Sequence, residues 1–498
     1  MPKAANVVMN RILGPVLLGL AGVASISAAP LAAQAQPAAF SDSRLAGLED
    51  FVDGVMAEQI ASREIAGAVV TVVHDGEVLF SRGYGYADVD AREPVDGMAT
   101  LFRPGSVSKL FTWVALMQQV EQGRVDLDAD VNRYLDFEIP EFGSQPIRVR
   151  DLLQHTPGMS DIGGISVRTE AEITPYRDWI KANIPARLWE AGSEISYSNY
   201  GTALAGYIVE RLSGEPFETY VEKHVFQPLG MTSTTFREPL TGTMKENMAT
   251  GYTLEDGRFV AMPYEFFSPV MPAGSAAASG PDMARFMLML LDHGSLAGAK
   301  VLEPASIDLL FSNSTANAPD LEGMAHGFLV YRNEGPRLIG HAGNTRDFHS
   351  NLVLAPEHDL GFFVSTTGGV ASGAGRTDLS DILIGRLFPQ EPAERWSGED
   401  AGAALAGSYR ANRRDYNREP NPDNDLKVTA PAPNRLVLKT GENATAWKQI
   451  GPRMYEQVTA AREGGPYTRL QFYGPADDLR LSFSNQPYMT YHHVEAAD

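Results

Sequence analysis

Leu45, Leu48, Phe51, Val52, Val55, Met56 and Ile60 recur at the three-to-four-residue spacing of a single helical face, which predicts an amphipathic helix. The pattern then changes to an almost unbroken apolar run, Ala68-Val69-Val70-Thr71-Val72-Val73, followed after Asp75-Gly76 by Val78-Leu79-Phe80. Asp-Gly between two such runs is a strong two-residue hairpin signal, so two antiparallel strands are expected here. Pro104-Gly105 stops the extended chain. Leu110, Trp113, Val114, Met117 and Val120 then mark a long buried helix ending near Gly123, with Ser106 at its N-terminus.

Helical segments separated by loops rich in Pro, Gly and Ser occupy roughly residues 125–320. Strand signals return at Gly327 to Tyr331, Asn351 to Leu354 and Gly361 to Thr366, and Thr377 is expected to cap a helix through Leu387. An α/β fold follows: an antiparallel sheet built from both chain ends, flanked by helices, with a helical subdomain between them. Pro389 to Glu399, with two prolines, three glutamates and a glycine, reads as a linker. Beyond it, short runs such as Arg435 to Leu438, Arg469 to Tyr473 and Leu479 to Phe483, spaced by turn residues, predict a small all-β barrel or sandwich. The expected division is 36–389 for the main domain, 390–403 for the linker and 404–498 for the β unit.

The N-terminal segment has a different pattern. Lys3 and Arg11 precede an apolar run from Ile12 to Ile26, broken by glycines and a proline, and Ala33-Gln34-Ala35 follows. This predicts a secretory signal peptide over residues 1–35, cleaved on export across the inner membrane to the periplasm. No later run is apolar for long enough to span a bilayer, and the chain has no cysteine for a lipid anchor or a disulfide. A formal net charge of -21 argues against nucleic acid or an anionic surface as partner. With no His-Glu-x-x-His, ten scattered histidines and no phosphate-cradling glycine loop, neither a metal nor another cofactor is expected.

Ser106-Val107-Ser108-Lys109 is a Ser-x-x-Lys arrangement, and at i, i+3 on a helix the two side chains share one face. Serine is a poor nucleophile until a neighbour takes its proton, and lysine does so only when burial or nearby cations lower its pKa. A helix N-terminus also offers free backbone N–H groups, Ser106's own included, to a developing oxyanion.

Phe102-Arg103-Pro104-Gly105-Ser106-Val107-Ser108-Lys109 resembles the active-site segment of the serine β-lactamase and penicillin-binding-protein superfamily, especially the class C-like branch with its esterases and D-aminopeptidases. Asp151-Leu152-Leu153-Gln154-His155-Thr156-Pro157-Gly158-Met159 is similar to the loop after the nucleophile helix in that branch, and Tyr197-Ser198-Asn199 resembles its Tyr-x-Asn motif. The likeness covers roughly residues 45–390. It implies that Tyr197 shares a hydrogen-bond network with Ser106 and Lys109 and passes the proton to the leaving group. That role calls for a phenol held partly as phenolate near a cation, which Lys109 would supply. Asn199 would bond the lysine and the substrate. Tyr331-Arg332-Asn333 has the same spacing but falls too close to the third motif.

For that third motif, Lys-Thr-Gly or His-x-Gly, three segments compete: His74-Asp75-Gly76, His341-Ala342-Gly343 and Lys439-Thr440-Gly441. The first precedes the nucleophile and the last closes a hairpin in the β unit, so His341 is chosen. Ala342 and Gly343 would let substrate lie against the strand, and the N–H of Asn344 would be the second oxyanion donor. The family usually has glycine where Asp347 stands, so a narrower or more acidic pocket is expected. A mostly neutral His341 weakens any clamp on a substrate carboxylate unless Arg346 replaces it.

The resemblance therefore implies a hydrolase of esters, small amides or short peptides, acting through an acyl-enzyme. A D,D-carboxypeptidase or weak class C-type β-lactamase is the alternative within enzymes, and a non-turnover cell-wall sensor the alternative outside them. The β unit is similar in pattern to the lipocalin-like barrel appended to several such hydrolases, where it covers the active-site mouth, restricts substrate size or mediates assembly into oligomers.

Overall fold

A computed structural model describes residues 42–332, 335–459 and 464–495. The expected signal segment 1–35 lies outside them, as does Asn333. Among the described residues no helix is long and apolar enough to cross a membrane.

Helix α1 (Leu48–Ala61) leads into β1 (Gly67–His74) and β2 (Glu77–Asp88). Asp75 and Gly76 both adopt positive φ between these strands, the two-residue turn that the Asp-Gly signal predicts. Strand β3 (Glu93–Pro94) pairs with β2, and the chain then leaves the sheet until β4 (Asn313–Thr315). It returns through β5 (Met324–Ala325), β6 (Leu329–Arg332), β7 (Leu338–Asn344), β8 (Phe348–Ala355) and β9 (Leu360–Thr367). The nine strands lie in the order β4-β5-β6-β7-β8-β9-β1-β2-β3, so β9 pairs antiparallel with β1 and joins the two chain ends in a single sheet.

The apolar run in β1 is unbroken because both faces of the sheet are covered. Val70 and Val72 join Phe362 and Val364 under α1 and the last sheet-covering helix, whereas Val69 and Val73 join Leu352, Leu354 and Phe363 in the larger core. That core holds the buried helix α2 (Lys109–Glu121), helix α3 (Asn199–Ser213) and helix α4 (Gly280–Leu291).

The last sheet-covering helix, α5 (Val370–Leu387), starts seven residues before the expected cap. Thr377 does not cap it: the Thr377 hydroxyl donates to Gly373 O, one turn back (3.0 Å). The segment Ser372-Gly373-Ala374-Gly375 has the composition of a loop, yet its glycines let the helix close on the sheet. A Cβ at Gly373 would sit 3.2 Å from the His349 ring, and one at Gly375 3.0 Å from Ile65.

The C-terminal strands, from Gly407–Ala411 to Tyr491–Val494, close into an eight-stranded antiparallel barrel around Tyr409, Leu436, Tyr455 and Phe472. Lys439-Thr440-Gly441 ends one of its strands, with Gly441 at positive φ in the following turn. The expected linker has neither helix nor strand up to Ala401, but it is pinned along the barrel: Ala393 N–H donates to Glu456 Oε1 (2.9 Å) and Trp396 N–H to Gln449 O (2.9 Å). The barrel bonds the main domain through buried Glu194, whose carboxylate accepts from Asn412 Nδ2 (2.5 Å) and lies 3.0 Å from His492 Nε2 and 3.1 Å from Arg480.

Candidate active site

Ser106 lies in a single 3-10 turn, Gly105–Ser108, that runs directly into α2. At three residues per turn, positions i and i+3 eclipse, so Lys109 stacks under Ser106 more directly than on an α-helix. Its Nζ is 3.1 Å from Ser106 Oγ, 2.8 Å from Asn199 Oδ1 and 2.7 Å from Ala273 O. The side chain is fully buried (0 % exposed), and burial, reinforced by the guanidinium of Arg413, drives its pKa well below the usual lysine value. A neutral amine has two hydrogens and one lone pair. The two carbonyl oxygens take the hydrogens, leaving the lone pair for the Ser106 hydroxyl.

Tyr197 and Asn199 flank Ser198, whose hydroxyl caps α3 by accepting from Gly201 N–H (2.9 Å). His155 fixes this segment from the loop after α2. Its ring stacks on Tyr197 at 4.3 Å, its Nδ1 accepts from Ser198 N–H (3.2 Å) and its carbonyl from Ser196 N–H (2.9 Å). The Tyr197 hydroxyl interacts with Ser106 but makes no hydrogen bond of ordinary length, and burial raises its pKa. Burial thus favours the neutral form of both Tyr197 and Lys109, in place of the ammonium–phenolate pair that the resemblance implied. Two basic groups lie against the Tyr197 ring, the Arg413 guanidinium 4.5 Å and Lys109 Nζ 4.9 Å from its centroid.

Strand β7 passes so close to the Ser106 turn that a Cβ on Gly343 would lie 1.9 Å from Pro104 O, and Gly105, at φ +54°, faces Asn344 from the other side. His341 is 1 % exposed. Its Nδ1 lies 2.6 Å from Ala342 O, an acceptor, which places the proton there and leaves Nε2 as a buried acceptor without a partner. Burial and Lys109 push its pKa down to about 3. Thr345 N–H donates to Phe348 O (2.8 Å), so Asn344 and His349 form the next, non-bonded pair of the ladder. The Asn344 N–H therefore points off the opposite edge of β7, where pairing with β6 ends at Gly340. On the Ser106 side, Val107 is the first N–H taken within the turn (3.2 Å to Pro104 O), which leaves the Ser106 N–H without an intrahelical acceptor.

A cavity of about 240 Å³ opens onto this group, lined by Ser106, Tyr197, Asn199, His341 and Asn344, with Ile165, Phe267, Val270 and Leu329 as apolar wall. Two further lining residues, Arg413 and Tyr488, come from the C-terminal barrel. The Tyr488 carbonyl accepts the Tyr197 N–H (3.0 Å), and Asp161 N–H donates to Arg414 O (3.1 Å), so barrel and main domain build one wall together. Sequence reasoning missed both residues, because they lie 307 and 382 positions from Ser106 and carry no local motif. Arg346 does not replace the missing clamp: it is two-thirds exposed, pairs with Glu265 (3.5 Å) and is absent from the lining. Asp347 neither narrows nor acidifies this cavity. It lines a neighbouring cavity, where Arg168 binds both of its oxygens (2.5 and 3.1 Å).

Among known proteins, the chain is 26% identical over 317 residues to Protein flp of Staphylococcus aureus (strain N315), a match covering 63% of this chain and 62% of that protein. The chain thus spans less than two thirds of that relative's length. Its fold is similar to an octameric penicillin-binding protein homologue from Pyrococcus abyssi (TM-score 0.59, 22% identity, 90% of this chain and 99% of that one). It is also similar to a D-amino acid amidase from Ochrobactrum anthropi SV3 (TM-score 0.56, 24% identity, 68% and 97%). Residues 51–387, which hold every predicted site residue from Ser106 to Asn344, match the family model described as Beta-lactamase, and the chain belongs to that family.

Proposed function

We propose that the chain is a serine hydrolase that cleaves esters or small peptide-like amides through an acyl-enzyme on Ser106. The observation that carries this reading is the buried Lys109 amine, held by two carbonyl oxygens and 3.1 Å from Ser106 Oγ. In the first step Lys109 Nζ takes the serine proton while Oγ attacks the substrate carbonyl carbon. The N–H groups of Ser106 and Asn344 receive the oxyanion. As the tetrahedral intermediate collapses, the Tyr197 hydroxyl gives its proton to the leaving group and is reprotonated from the Lys109 ammonium. Water then enters, loses a proton to the same pair and attacks the acyl carbon; as the C–Oγ bond breaks, that proton returns to Ser106 Oγ and the acid is released. Asn199 orients the amine and the substrate amide or carbonyl.

The neutral His341 leaves strand β7 without the permanent charge that a lysine at its position would give a β-lactam carboxylate, which favours ester and amide substrates over β-lactams held from that strand. The fold neighbour that is a D-amino acid amidase supports the amide class. The N-terminal pattern supports export to the periplasm, and an N-terminal sequence of the mature protein beginning near residue 36 would establish it.

The test is steady-state hydrolysis of p-nitrophenyl acyl esters, D-amino acid p-nitroanilides and nitrocefin by wild type and Ser106→Ala. Multiple turnover of esters or anilides, slow nitrocefin hydrolysis and loss of every signal in Ser106→Ala is the expected result. Faster turnover of nitrocefin would install the β-lactamase reading, and a stoichiometric burst without turnover would install the sensor.

A further inference from the structure

Arg413 is the one charged residue among the described residues lining the Ser106 cavity. Its Nε pairs with Asp161 Oδ2 at 3.2 Å, and its guanidinium lies against the Tyr197 ring at 4.5 Å and the Tyr488 ring at 5.9 Å. Those contacts fix the plane of the group and engage one nitrogen. Its two terminal nitrogens make no hydrogen bond among the described residues. The loop that carries it is held on both flanks, by Asn412 on Glu194 and by Arg414 O on Asp161 N–H. The result is a preorganised fork of donors in a partly desolvated cavity whose other walls are neutral. This is the arrangement that receives a planar anion in two parallel bonds.

We propose that Arg413, contributed by the barrel, is the specificity-determining residue of the cavity: it binds a carboxylate carried by the substrate, so the preferred acyl compounds are anionic. This rests on the acyl-enzyme reading. It also gives the barrel a function within the site, and it locates the positive charge that neither His341 nor Arg346 supplies.

The test uses two matched pairs. In one the carboxylate sits on the acyl side: p-nitrophenyl hexanoate against the mono-p-nitrophenyl ester of adipic acid, which has a carboxylate in place of the terminal methyl. In the other it sits on the leaving group: phenylacetyl-mercaptoacetate against its methyl ester. Wild type is expected to favour the anionic member of at least one pair by about tenfold or more in kcat/KM, since a charged hydrogen bond is worth that much. The pair that shows the preference identifies the side. In Arg413→Gln that ratio should collapse toward one, and Arg413→Lys should restore part of it. Because each ratio is taken within one protein, a general loss of activity does not mimic the effect. A wild-type ratio near one in both pairs overturns the proposal without any variant, as does a preference unchanged in Arg413→Gln. If Ser106→Ala still turns over the esters, it is the acyl-enzyme reading that fails.

Discussion

The guanidinium of Arg413 lies 4.5 Å from the ring centre of Tyr197, although one belongs to the C-terminal barrel and the other to the segment that caps α3. The same ring meets His155, stacked at 4.3 Å. The phenol is thus held by two elements distant in sequence, and its hydroxyl is left to Ser106.

Tyr197→Phe removes only that hydroxyl, which makes no hydrogen bond of ordinary length. The aromatic contacts remain, so thermal stability should change by less than about 1 kcal/mol. The kcat/KM for ester hydrolysis should fall by about 10²–10⁴, the usual contribution of a positioned proton donor. Scanning calorimetry and stopped-flow assays on the same preparation check both halves.

Lys109 titrates well below the usual lysine value because it is buried beside Arg413. Between that lowered pKa and the unfolded value near 10.5, the unfolded chain binds a proton that the folded chain does not, so folding gains stability as pH rises through this window. Wild type should therefore become more stable relative to Lys109→Met on going from about pH 7 to about pH 9.5. Urea titrations of both proteins at the two pH values measure the difference. A flat difference would mean that Lys109 stays charged in the fold.

Gly343→Ala places a methyl group 1.9 Å from Pro104 O if nothing moves. Strand β7 and the Ser106 turn must separate, at a stability cost of about 1–3 kcal/mol typical of overpacking. Activity should fall further than stability, because the N–H groups of Ser106 and Asn344 would no longer converge. Comparing the melting temperature with the kcat for p-nitrophenyl esters separates the two effects.

Glu194 is 4 % exposed and ties the barrel to the main domain through Asn412, Arg480 and His492. Glu194→Ala leaves those donors facing a void and should cost about 3–5 kcal/mol. Ester turnover should fall too, since Arg413 and Tyr488 share the wall that this contact holds. Limited proteolysis between main domain and barrel, followed by mass spectrometry, should show faster cleavage in the variant. Unchanged cleavage with unchanged turnover would mean the barrel is held elsewhere.

Local physics made much of the chain legible without coordinates. The Asp75-Gly76 hairpin, the buried helix after Pro104-Gly105 and the apolar strands that join the two chain ends all follow from spacing and turn chemistry acting over a few residues. So does the pairing of Ser106 with Lys109, three residues apart on one turn. Thr377 was misread because a glycine-rich helix start has no favourable local signal. It forms since small residues let α5 press onto β8 and β9, a packing gain invisible along the chain.

The sequence by itself determined the Asp75-Gly76 hairpin, the buried helix after Pro104-Gly105, the all-β C-terminal unit and the Ser106–Lys109 couple, because each depends on residues close together in the chain. Only the tertiary structure decided which charges reach the cavity. It buried Lys109 and His341, tied Arg346 and Asp347 to Glu265 and Arg168, and brought Arg413 and Tyr488 across from the barrel. Desolvation and ion pairing are sums over everything within a few ångströms in space, and no spacing rule along a chain encodes those neighbours.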